Sequence, residues 1–170
     1  KLLIIDDSAL MRSALTQLFG ARPGWEVHSA RDGVTGLRAC RELRPSVVIM
    51  DVNMPNMDGL TCLAHIMAEC PTRVLMFSSL TEEGAATSLE ALYIGAVDCL
   101  AKPAANFMDN AAQQAALLAA VEAASRATPR SGAARAVRMS MVPKAPRARP
   151  ATPSKPPAAV QAVLAPGLVL

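Results

Sequence analysis

The residues able to do chemistry in this chain gather at a few points. Two adjacent carboxylates, Asp6 and Asp7, follow directly on the apolar run "LLII". Asp51 ends a second run, "SVVIM", and Ser78 and Ser79 end a third, "RVLMF". Lys102 closes a fourth, in "AVDCLAKP". Adjacent like charges repel, and burying one without a partner is costly. Any one of these groups alone is accounted for as a solvated strand end. Brought together, three carboxylates, a hydroxyl and an ammonium favour a hard divalent cation. Mg²⁺ suits such a site, because it accepts a few carboxylate oxygens, keeps waters and leaves a position for a phosphoryl oxygen. An Asp carboxylate can act as a nucleophile and form an acyl phosphate. Phosphoryl transfer asks mainly for positioning and charge neutralisation.

The elements that must position these groups alternate along the chain. "KLLIID" reads as a strand. "SALMRSALTQLFG" reads as a helix with an apolar stripe at Leu10, Met11, Ala14, Leu15, Leu18 and Phe19, stopped by Gly20. "WEVHSA" alternates as a strand does, and "GVTGLRACRELR" is a helix halted before Pro45. "SVVIMD" is a continuous apolar run, hence a strand buried on both faces. After the loop "NMPNMDG", the segment "LTCLAHIMAE" puts Leu60, Leu63, Ile66 and Met67 on one helical face. "RVLMFSS" is a strand, "EEGAATSLEALYIG" a helix closed by Gly95, "AVDCLAKP" a strand ending at Pro103, and "NAAQQAALLAAVEAAS" a last helix. Five strands and five helices in strict alternation predict an α/β fold. Such a fold is a doubly wound parallel sheet with right-handed crossovers and helices on both faces. Ligands bind at the carboxyl ends of the strands in such sheets. In a 2-1-3-4-5 strand order the ends carrying Asp6, Asp7, Asp51, Ser78 and Lys102 are neighbours.

Composition bounds the rest. The net charge of +3 divides: up to 124, nine Lys/Arg face fourteen Asp/Glu, whereas from Ser125 onward eight Lys/Arg face no acid at all. Eight of the thirteen Pro also fall in that tail, which has no aromatic residue. Such a segment cannot bury enough surface to offset its chain entropy. Residues 1–124 therefore read as one folded domain and 125–170 as a disordered, basic, Pro/Ala/Arg-rich linker or tail, with a final apolar stretch "AVQAVLAPGLVL". The tail lacks the aromatics and helix-turn-helix pattern of a nucleic-acid binder. No apolar run approaches the roughly 18 residues of a membrane span, so no insertion is expected. Cys40, Cys62, Cys70 and Cys99 show no C-x-x-C spacing, and only His28 and His65 accompany them. A zinc site is not expected; reduced thiols in a cytoplasmic protein are. His28 and His65 read as surface residues, and Met54 and Met57 as loop packing.

"IIDDSALMR", "VVIMDVNMPNMDGL", "VLMFSS" and "AVDCLAKP" resemble the signature blocks of response-regulator receiver domains of bacterial two-component signalling, over about residues 2–124. Within that family, "SSLTEEGAATSLEALYIGAVDCLAKP" resembles the receiver of the chemotaxis protein-glutamate methylesterases (CheB). The resemblance implies a flavodoxin-like (CheY-like) fold and a histidine kinase of a chemotaxis-type system as partner. It implies Asp51 as phosphoacceptor, Asp7 as a direct Mg²⁺ ligand and Asp6 as one acting through water. It further implies that Asn53 offers its backbone carbonyl to the metal, and that Ser78 and Lys102 bind the phosphoryl group. A cis Lys102–Pro103 bond is implied as well.

Two departures matter. Receivers of this family often carry an aromatic ring three positions before the last strand's Lys; here that position is Cys99, with Tyr93 as a possible substitute ring. Cys is too small to gate a surface, so little of the output should pass through it. Further, no G-x-S-T-G-G-like turn with His and Asp partners occurs. Any methylesterase domain is expected to follow residue 170, and this chain to do only Asp self-phosphorylation and dephosphorylation. The alternatives are a stand-alone receiver serving as binding module or phosphate sink and, more remotely, a Mg²⁺-dependent phosphohydrolase. The last usually shows D-x-D-x-[TV] at its first strand, where this chain has "DDSAL".

Overall fold

A computed structural model describes residues 1–78, 82–103 and 107–127, the side chains of 82 and 83 excepted. The expected tail lies outside the described residues beyond position 127. In chain order the elements are β1 (Leu2–Ile5), α1 (Ala9–Gly20), β2 (Val27–Ala30), α2 (Gly33–Leu43), β3 (Val47–Asp51), α3 (Gly59–Glu69), β4 (Arg73–Ser78), α4 (Glu82–Ile94), β5 (Asp98–Ala101) and α5 (Ala111–Arg126). A short 3₁₀ turn, Phe107–Asp109, precedes α5. The strands form one parallel sheet in the order β2-β1-β3-β4-β5. The expected architecture is therefore the observed one.

The period of two along each strand sorts the core into two layers. Leu3 and Ile5, Val48 and Met50, and Val74 and Met76 pack beneath α2, α3 and α4. Leu2 and Ile4, Val47 and Ile49, and Leu75 and Phe77 pack beneath α1 and α5. Helices on both faces explain why β1 and β3 are apolar at every position up to their acidic ends. Each fully buried Leu, Ile or Phe contributes about 1.5–3 kcal/mol relative to exposure. Ser8, Asp32, Asp58 and Asn110 cap α1, α2, α3 and α5 by accepting the N–H of the third residue onward. A cap of this kind is worth about 1 kcal/mol.

Some boundaries differ from the sequence reading. Ser8 caps α1 rather than opening it, and α1 buries Met11, Leu15, Leu18 and Phe19 while Leu10 is 66% exposed. The stripe is thus narrower than the apolar pattern implied. β2 begins at Val27, although Glu26 already accepts the Leu2 N–H and the Trp25 ring meets Phe19 edge-on at 5.9 Å. β5 is confined to Asp98–Ala101. α5 runs to Arg126, so Ser125 and Arg126 belong to the helix.

Two glycines have conformational reasons. Gly95 ends α4 at φ +140°, outside the range of most side chains. Gly59 opens α3 directly against the end of β3, where an added Cβ would lie 2.2 Å from the Asp51 carbonyl oxygen and 2.9 Å from Val52 Cα. Both neighbours are backbone and cannot swing aside. Gly59→Ala is therefore expected to cost about 1–3 kcal/mol of stability, read as a lower urea midpoint. Gly20→Ala, with nothing within 4 Å of the new Cβ, should leave the midpoint equal or higher. An unchanged midpoint for Gly59→Ala would show that the β3–α3 junction yields.

Candidate functional site

The same alternation that builds the core aims the site. Ile5 registers with Met50, so Asp6 and Asp51 come next, side by side on adjacent strands. Asp6 continues the Leu2–Ile4 face and Asp51 the Val47–Ile49 face, the side of the sheet under α1 and α5. Lys102 continues from Leu100 on that same side. Its ammonium lies 2.6 Å from Asp51 Oδ2 and 3.0 Å from Asp6 Oδ2. Ser78 follows Val74 and Met76 on the opposite side, where its hydroxyl donates to the Gly84 carbonyl of α4 at 3.0 Å.

Asp6 is 1% exposed and Asp51 5%, whereas Asp7 stands in solvent. Asp6 Oδ1 accepts the Ser8 N–H at 2.8 Å. Asp6 Oδ2 is buried and makes no hydrogen bond; among the described residues only the Lys102 ion pair faces it. One carboxylate oxygen from each of Asp6, Asp7 and Asp51 falls within 4.8 Å of the others. A buried carboxylate oxygen met by a single ammonium, beside two more carboxylates, is what a hard cation and its waters would complete. Among the described residues this is the one cluster of its kind. Asn53 sits in the exposed loop two residues past Asp51.

The electrostatics follow from burial and from one cation. Burial pushes the Asp51 carboxyl above its ordinary value; the Lys102 contact pulls it down, and the charges of Asp6 and Asp7 push it up again. The net direction is up. For Lys102 burial works against the ammonium, but the contacts and charges of Asp51 and Asp6 outweigh it and hold the group charged.

Asp6, Asp7, Asp51 and Lys102 are brought together; Ser78 is adjacent with its hydroxyl on α4. The Lys102–Pro103 bond is not cis, as no peptide bond is among the described residues. Trans is the intrinsically favoured X–Pro form by about 0.5–1 kcal/mol, and Lys102 reaches both carboxylates with it. Cys99 is half-buried and tied by its thiol to the Ser88 carbonyl at 3.4 Å. Cys40, Cys62 and Cys70 are free and buried, and burial raises the thiols of Cys40 and Cys62, the latter to about 12. His28 and His65 each meet a surface glutamate, Glu26 and Glu69. Met54 and Met57 pack on the core.

Two contacts went unread in the sequence. The Arg12 guanidinium donates to the Asp6 and Asp7 carbonyls at 2.8 and 2.9 Å, fixing the acidic turn against α1. Asp32 holds Asn56 of the β3–α3 loop at 3.3 Å. The first had a local signal, an Arg one helical turn into the helix behind the acids. The second joins residues 24 apart and had none.

Because folding raises the Asp51 pKa, its ionisation costs the folded state. The sign is that of a group whose proton is held more tightly when folded: stability falls as pH rises from the ordinary value of 3.8 through the raised one. Without metal, Asp51→Asn is expected to melt a few degrees above the parent at neutral pH, the gap closing as the pH is lowered toward 3.8. An equal or lower melting temperature at neutral pH would contradict a net destabilising charge.

Residues 2–112 match the response regulator receiver domain family. The chain is 52% identical over 103 residues to protein-glutamate methylesterase/protein-glutamine glutaminase 3 of Vibrio cholerae, covering 61% of this chain and 29% of that protein. It thus spans under a third of the length of that curated relative. Among solved structures, the response regulator domain of Thermotoga maritima CheB superposes with a TM-score of 0.68 at 40% identity, covering 75% of this chain and 97% of that one. A chain of the CheX–CheY–BeF3–Mg²⁺ complex of Borrelia burgdorferi superposes with a TM-score of 0.56 at 31% identity, covering 69% and 87%. No described helix is long and apolar enough to cross a membrane. The strand-end acids, the ammonium that faces them and these likenesses agree, and the chain belongs to the response regulator receiver domain family.

Proposed function

We propose that the chain accepts a phosphoryl group on Asp51 from a histidine kinase, as the regulatory unit of a chemotaxis protein-glutamate methylesterase. The observation that carries this is the convergence of Asp6, Asp7 and Asp51 within 4.8 Å, with Lys102 2.6 Å from Asp51. In the transfer, an Asp51 carboxylate oxygen attacks phosphorus and forms the acyl phosphate. The bond from phosphorus to the donor breaks, and its electron pair leaves with the donor. Lys102, already at the carboxylate, neutralises charge on the phosphoryl oxygens. The Ser78 hydroxyl leaves the Gly84 carbonyl and donates to the phosphate, which biases the β4–α4 junction between two states. Cys99, small and tied to Ser88, contributes little to that change.

Asp7, Asp51 and the Asn53 carbonyl hold Mg²⁺ in this reading, with Asp6 acting through water. The ion supplies charge neutralisation for the incoming phosphoryl group. The Borrelia complex, which by its name contains BeF3 and Mg²⁺, supports the choice of ion. The methylesterase assignment is supported by the relatives, and their greater length leaves room for a further domain beyond residue 170. Residues 1–124 act as the receiver and 125–170 as the link to that domain. The reading places the protein in the cytoplasm, where its four free thiols stay reduced.

Incubation with acetyl phosphate and Mg²⁺ is expected to give a single phosphoryl adduct by intact mass, absent from Asp51→Ala and from reactions with chelator. Asp7→Ala should lose measurable Mg²⁺ binding by calorimetric titration, and Asp6→Ala should bind more weakly than the parent. Full labelling of Asp51→Ala would refute the phosphoacceptor; unchanged Mg²⁺ affinity in Asp7→Ala would refute the ligand set.

A further inference from the structure

The β3–α3 loop, residues 52–58, links Asp51 to α3 and carries Asn53. Backbone bonds pin both of its ends, Val52 N–H to the Phe77 carbonyl at 3.2 Å and Gly59 N–H to the Val52 carbonyl at 2.8 Å. Its middle is held differently. The Asn56 amide donates to Asp32 Oδ2 at 3.3 Å, the one side-chain hydrogen bond that ties this loop to a non-adjacent element among the described residues. Asp32 is itself held in place: it is 5% exposed, and its other oxygen takes the Thr35 N–H and hydroxyl, each at 2.8 Å. The loop also lies flat on the start of α2, since a Cβ on Gly33 would stand 2.6 Å from the Met57 carbonyl oxygen. Asn56 itself has φ +66°, a left-handed conformation that Asn tolerates better than most residues.

We infer that Asp32 and Asn56 are positioning residues for the metal site: their hydrogen bond fixes the loop that carries Asn53, the residue assigned to the ion beside Asp7 and Asp51. The inference rests on the Mg²⁺ reading given above. Neither residue touches the acids. Their effect runs through the backbone between Asn53 and Asn56, three peptide bonds whose path Pro55 narrows by fixing its own φ. Outer partners of metal ligands commonly matter to affinity for this reason.

The test is calorimetric Mg²⁺ titration of the full chain. Asn56→Gly removes the amide but keeps the left-handed backbone accessible, and Asp32→Ser keeps a good helix cap but is too short to reach residue 56. Each is expected to weaken Mg²⁺ binding by roughly tenfold. The double variant should be no weaker than the worse single, as coupled residues require. Cys40→Ala, a core truncation on the same helix, should lower the urea midpoint without moving the Mg²⁺ affinity, separating position from general stability. Unchanged affinity in both single variants, or additive losses in the double, would overturn the inference while leaving the metal site standing. Absent Mg²⁺ binding in the parent, or equal binding in Asp51→Asn, would instead defeat the Mg²⁺ reading, and this inference with it.

Discussion

The Lys102 ammonium, 2.6 Å from Asp51 and 3.0 Å from Asp6, is what allows buried acids to share the mouth of this sheet. Two unit charges about 4 Å apart interact by about 4 kcal/mol at an effective dielectric of 20. One cation facing three carboxylates, two of them buried, leaves a net negative charge at the strand ends. The cluster is under-neutralised as it stands. Its proper complement is further positive charge, since Lys102 is the one cation that meets Asp6 Oδ2 among the described residues.

The rest of the fold serves to hold that arrangement still. β1 and β3 are central strands buried on both faces, so the positions of Asp6 and Asp51 are fixed by core packing on either side of them. Strand parity then divides the labour. Asp6, Asp51 and Lys102 lie on the side of α1 and α5, and Ser78 lies on the side of α4. The charged groups thus share one side of the sheet, and the Ser78 hydroxyl meets the Gly84 carbonyl on the other. The acidic turn is secured by contacts that leave Asp6 Oδ2 to Lys102: Arg12 takes backbone carbonyls of Asp6 and Asp7, and Ser8 occupies only Asp6 Oδ1.

Much of this was legible in the sequence, for definite reasons. Apolar runs that stop at acids mark both the strand and its end, so Asp6, Asp7, Asp51 and Lys102 were readable as neighbours once the alternation fixed the topology. Leu10 falls outside the buried stripe of α1, because hydropathy alone does not say which edge of a stripe meets the sheet. The Lys102–Pro103 isomer came from family likeness rather than local chemistry, and it failed. The Asp32–Asn56 tether was invisible because two polar residues far apart in sequence carry no periodicity that points to each other.

The crowding of negative charge at the strand ends is felt by the Asp51 carboxyl itself. Its pKa can be followed by carbon NMR of the side-chain carboxyl across a pH titration, with and without Mg²⁺. The expected result is a midpoint above the ordinary 3.8 in the metal-free protein, falling when Mg²⁺ is added. A midpoint at or below 3.8 that does not respond to Mg²⁺ would contradict the account.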